Sequence, residues 1–155
     1  MLNQNKPTEN LSKKSIENME QGKSLLKEGK YSEAEKYFLK VVRSDPKNEG
    51  AHFELGKIFC MQNKYSKAQE ELRKAININK NNKYAYLALG KALLEQGEYK
   101  GSERSFLQAL RLDPENTDAH FGLGNVYFIN LEFQKSEKEF EKGISINKKN
   151  KFSYI

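Results

Sequence analysis

The sequence predicts an all-α array of four tandem helix pairs, and three observations carry that reading. Glycine recurs at Gly22, Gly56, Gly90 and Gly124, a spacing of 34 residues each time. Apolar residues around each glycine recur at helical intervals. A short polar break divides every period at the same place, so each holds two helical runs. A period of this length marks stacked supersecondary units.

Aligned on the glycines, the chain divides into a tail and helix start over 1–14, units over 15–48, 49–82, 83–116 and 117–150, and the beginning of a fifth, truncated helix over 151–155. Residues 1–11 are polar and expected to lack fixed structure, with the first helix starting near Ser12. The first helix of each unit is illustrated by the second, where His52, Leu55, Gly56 and Phe59 share one stripe. Glycine inside a helix costs about 1 kcal/mol relative to alanine, so its recurrence requires a packing reason. The expected reason is close approach of the second helix, which presents Ala34, Ala68, Ser102 or Ser136 at the crossing.

The breaks are Glu28–Lys30, Gln62–Lys64, Gln96–Glu98 and Asn130–Glu132. The second helices follow, opened by Tyr31, Tyr65, Tyr99 and Phe133, with Phe38, Leu72, Phe106 and Phe140 farther along. They are expected to end near Asp45-Pro46, Asn79-Lys80, Asp113-Pro114 and Asn147-Lys148. Pro46 and Pro114 cannot continue a helix and keep the residue before them out of helical geometry. An array normally finishes on a polar-faced capping helix. Here Phe140, Ile144 and Ile146 would lack that cover, which predicts either a longer array or burial by self-association.

These residues resemble the tetratricopeptide repeat (TPR) family over 15–150. The family's order of glycine, aromatic, small, aromatic, small and proline is met by Gly22, Tyr31, Ala34, Phe38, Val41 and Pro46. Gly90, Tyr99, Ser102, Phe106, Ala109 and Pro114 meet it again. The family's early aromatic is Asn18, His52, Tyr86 and His120 here, Tyr154 would occupy that place in a fifth unit, and Lys80 and Lys148 replace proline. The resemblance implies a right-handed α-solenoid of antiparallel helix pairs, with the first helices lining a concave groove. It also implies a scaffold or adaptor that binds a peptide or helix of another protein.

Helical phase places the groove set. It comprises Met19, Lys23 and Leu26; Phe53, Lys57 and Cys60; Tyr84, Leu87, Lys91 and Leu94; and Phe121, Asn125 and Phe128. Three lysines and an asparagine thus form a ladder with apolar shoulders, suited to a segment carrying acidic groups beside apolar anchors. Glu20 and Glu54 face the same side and could neutralise part of it. The shoulders could equally serve to pack neighbouring first helices. Relatives that grip chaperone C-termini use Lys, Asn, Asn, Lys and Arg at set places. In one frame those places hold Met19, Lys23, Glu54, Tyr84 and Ala88, and in the other Phe53, Lys57, Ala88, Asp118 and Gly122. Neither frame supplies the clamp, and Glu54 or Asp118 would repel a carboxylate.

No catalytic, cofactor or metal site is expected. The single cysteine, Cys60, excludes a disulfide framework and reads as a half-buried filler. His52 and His120 occupy equivalent places two units apart and read as packing residues. Glu70 and Glu71 read as solvated surface charges. The formal charge is +6, but the last two units are each neutral and signs mostly alternate, which argues against a nucleic-acid partner. No apolar run approaches the roughly 20 residues of a membrane span, and the start lacks a secretory apolar segment. Free thiol chemistry fits a reducing, cytoplasmic setting. The alternatives to an adaptor are a structural spacer, a self-assembling module such as a homo-oligomer through the last repeat, or a regulatory segment of a longer multidomain protein.

Overall fold

A computed structural model describes residues 6–152 of the chain. They form eight helices and no strand: α1 (Lys6–Lys27), α2 (Tyr31–Ser44), α3 (Glu49–Met61), α4 (Tyr65–Ile78), α5 (Lys83–Glu95), α6 (Tyr99–Leu112), α7 (Thr117–Ile129) and α8 (Phe133–Phe152). Each odd helix packs on the even helix that follows, and each even helix on the next odd one. The first helices α3, α5 and α7 also touch in succession, so the array is an α-solenoid of antiparallel helix pairs.

Local chemistry sets the helix boundaries. Asn48, Asn82 and Asn116 cap α3, α5 and α7, each side-chain oxygen accepting from the backbone N–H of Ala51, Ala85 or Ala119 at 3.0, 2.9 and 2.9 Å. Such a cap is worth about 1 kcal/mol. The turn inside each pair needs one left-handed residue, supplied by Gly29, Asn63, Gly97 and Leu131 at φ 74°, 57°, 75° and 61°. The amide of the next residue then reaches back to an orphan carbonyl near the helix end, as Lys30 does to Leu25 at 2.9 Å.

The recurrent glycines make room for the large side chain of the second helix. A Cβ on Gly22 would sit 2.8 Å from the Phe38 ring, one on Gly90 2.8 Å from Phe106, and one on Gly124 2.7 Å from Phe140. On Gly56 it would meet Leu72 at 2.5 Å. The second helix does approach closely, as expected, but the group that excludes a Cβ is its large side chain and not the small residue. The small residues do lie beside the glycine: Ser102 and Ser136 donate to the carbonyls of Gly90 and Gly124 at 2.8 and 2.9 Å. Phe38, Leu72 and Phe106 are fully buried, and with Leu55, Ile58, Leu93, Leu123 and Val126 they form the core.

Two boundaries differ from expectation. α1 begins at Lys6, six residues before Ser12. α8 does not stop near Asn147-Lys148 but runs to Phe152, so residues 151–152 continue α8 and do not open a fifth helix. On this extension Lys149 makes an exposed ion pair at 2.9 Å with Glu115 of the loop between α6 and α7. Tyr154 lies outside the described residues.

Candidate groove of a helical repeat array

The expected groove residues fall on α1, α3, α5 and α7, where the helical pitch repeats their direction from pair to pair. Their exposure is uneven. Tyr84 and Phe128 stand 56% and 58% exposed. Met19, Leu26, Phe53 and Cys60 are half-buried against a core that runs from α1 to α5, and Leu87 and Leu94 against one formed by α6 and α7. The Met19 methyl rests 3.4 Å from where a Cβ on Gly50 would lie. Phe121 lays its ring on Gly143 of α8, with its centre 6.3 Å from that of Phe140. Most of the shoulders therefore help join neighbouring helices, and the exposed apolar surface is concentrated at Tyr84 and Phe128.

The lysines occupy three electrostatic situations. Lys23 is exposed and has no ion pair among the described residues. Lys57 Nζ lies 2.9 Å from Glu54, one turn earlier on α3, and 5.2 Å from the centre of the Phe53 ring. Lys91 Nζ lies 2.7 Å from Asp118 in the first turn of α7. Lys91 and Asp118 are both exposed, and such a pair is worth about 0–1 kcal/mol, so a ligand carboxylate could displace it at little cost. The Glu54 side chain is mostly buried, so Lys57 is held more firmly. Asn125 is exposed and extends the row with an amide.

At the edge of this face Lys83 bonds Asp113 at 2.9 Å and sits 5.2 Å from the Tyr84 ring centre. The hydrogen bond to Asp113 raises the Lys83 ammonium above its ordinary value, and the same bond lowers Asp113. Burial pushes the Cys60 thiol up, away from the thiolate that nucleophilic chemistry requires.

Sequence reasoning missed a pair of buried networks. His52 Nδ1 lies 2.6 Å from Glu71 and its Nε2 3.0 Å from the Pro46 carbonyl. His120 repeats this with Glu139 at 2.6 Å and Pro114 at 3.0 Å. Glu71 is thus not the solvated charge expected of it: its side chain is 14% exposed and also bonds Lys74, whereas that of Glu70 is 66% exposed. The signal was present, since proline precedes and glutamate follows each histidine at constant offsets. Among the described residues no group of three or more His, Cys, Asp or Glu could hold a metal ion, and no helix is long and apolar enough to cross a membrane.

Two family models match in sequence, one described as tetratricopeptide repeat over residues 25–92 and one as TPR repeat over 90–130. The chain belongs to the tetratricopeptide repeat family. No protein of curated function matches it in sequence. Among solved structures this TPR array resembles a crystal structure of MamA at TM-score 0.84 and 22% identity, covering 88% of this chain and 80% of that one. A second MamA crystal structure gives TM-score 0.83 at 27% identity, over 88% of this chain and 74% of that one. The second TPR domain of human RPAP3, solved with the HSP70 peptide SGPTIEEVD, gives TM-score 0.72 at 22% identity, over 75% and 97%.

Proposed function

We propose that this TPR array is an interaction scaffold whose concave face binds a peptide or helical segment of a partner protein, one carrying acidic groups beside apolar anchors. The observation that carries the reading is the row Lys23, Lys57 and Lys91, a cation at one recurring place on three successive first helices, ending near exposed Tyr84 and Phe128. Packing within the array does not require a cation there. Related folds have been solved with peptides, including the HSP70 peptide on human RPAP3 and the HSP90 peptide SRMEEVD on the first TPR of Spaghetti. A chaperone-tail clamp is not part of the proposal, because Glu54 and Asp118 occupy places where that clamp needs neutral or cationic donors.

The test is capture of partners from a lysate by the chain and by a variant with Lys23, Lys57 and Lys91 each changed to Glu, with helicity followed by circular dichroism. A partner bound by the wild type and lost by an equally helical variant supports the groove. Equal capture by both sinks it.

A further inference from the structure

The turn joining α7 to α8 places four large apolar side chains in water. Leu131 is 72% exposed, Phe128 58%, Phe133 56% and Ile129 43%. At the place of Leu131 the earlier turns carry Gly29, Asn63 and Gly97. That place demands left-handed backbone, and Leu131 adopts it at φ 61°. Glycine and asparagine tolerate this region, whereas a bulky side chain is strained in it. Glycine would make the same turn at lower free energy and without wetting a leucine. Neither the turn nor the core accounts for Leu131. Phe128 and Phe133 meet edge to face with ring centres 5.8 Å apart, which fixes the two rings of the patch relative to each other.

We propose that this hinge is a second docking site, outside the concave groove, for a short segment of a partner protein that presents two aliphatic or aromatic anchors. Size selects the occupant. At roughly 200 Å² for a large apolar side chain, the four exposures amount to about 450 Å². That is the scale of a functional patch on a monomer, roughly 300–600 Å². It falls short of the ~800 Å² per partner that a stable contact between two folded proteins buries, so two copies meeting patch to patch would hold each other only weakly. A peptide with two anchors about one helical turn apart covers it. Within the turn Glu132 pairs with Lys135, and the four patch residues are themselves apolar. Phe128 borders both surfaces, but the hinge does not depend on the lysines.

A displayed library of short peptides selected on the full chain, with Leu131→Gly and Lys23→Glu as comparison proteins, tests this. L131G is expected to melt at a higher temperature than the wild type. Peptides enriched on the wild type are expected to carry paired apolar residues, to lose at least about tenfold affinity for L131G, and to keep their affinity for K23E. Equal binding by L131G, a lower melting temperature, or no enrichment on the wild type overturns the proposal. So does sedimentation showing a dimer that L131G dissolves, which would make a second copy the occupant. Loss of binding by K23E alone would return the peptides to the groove.

Discussion

His120 Nδ1 lies 2.6 Å from Oε2 of Glu139 on the partner helix, and both side chains are buried. The other ring nitrogen faces the Pro114 carbonyl at 3.0 Å, so one imidazole ties α7 to α8 and to the loop from the preceding repeat. A neutral aromatic at this place could pack but could not satisfy either acceptor. His120→Phe is therefore expected to cost about 1–3 kcal/mol, the penalty for a buried acceptor left without a donor. The same holds for His52→Phe with Glu71 and Pro46. Urea denaturation of each variant checks this.

Acid should expose the same network. Burial alone would raise the Glu139 carboxyl, but hydrogen bonds from Lys142 and His120 outweigh it and hold the group below its ordinary 4.5. A carboxylate lowered in the folded state adds stability that is present above its unfolded value and lost as pH falls through the folded one. The stability gap between wild type and Glu139→Gln should thus be full near neutrality and close as pH drops below 4.5. A gap unchanged down to the acid transition would refute the ionic account.

How far the fold could be read from the residues depends on whether neighbours or local chemistry decide each feature. The glycine, aromatic and small positions are local repeats of one packing unit, so their spacing displays the helix pairs directly. The asparagine caps were equally local, at Asn48, Asn82 and Asn116, and needed only recognition as acceptors for the third amide onward. The end of α8 was not local. Asn79-Lys80 and Asn147-Lys148 read alike, yet α4 stops at Ile78, where α5 packs next, while α8 continues to Phe152. In the groove, spacing located the lysine row. It could not show that Phe121 lies on Gly143, because that contact depends on a missing side chain nearly three helical turns into α8.

Glycine positions separate by what a methyl group would meet. Phe106 is pressed on Gly90 of its own pair and on Gly122 of the next, and its ring has no exposed side to move toward. Gly90→Ala is expected to destabilise by about 1–3 kcal/mol through overpacking. Gly50→Ala places its Cβ 3.4 Å from the flexible Met19 methyl, an ordinary contact. Its helix preference should leave stability unchanged or raise it by up to about 1 kcal/mol. Thermal melts of the two variants should move in opposite directions or leave G50A at the wild-type value.

Alkali addresses Tyr127. Burial, reinforced by Glu103 nearby, pushes its phenol from the ordinary 10.0 up to about 12. Between those values the unfolded chain has lost the proton and the folded chain keeps it, so stability falls as pH rises. The loss is at most about 2–3 kcal/mol for a shift of this size. Tyr127→Phe should show a shallower decline over this range, measured by denaturation at stepped pH. A parallel decline in both proteins would show that the phenol is freely ionised in the fold.

Asp118 is the natural competitor for Lys91. Their exposed pair, 2.7 Å apart, contributes no more than about 1 kcal/mol to stability, so Asp118→Asn should leave the melting temperature almost unchanged. It should nonetheless strengthen binding of an acidic partner segment, because it removes one like charge from the groove and frees one cation. The gain should shrink as salt rises toward physiological strength and beyond, since exposed charges a Debye length apart are screened. Fluorescence anisotropy with a labelled partner peptide at low and high salt checks both parts. Affinity unaltered by D118N at low salt would mean that the ligand does not approach Lys91, and the groove contact would then have to centre on Lys23 and Lys57.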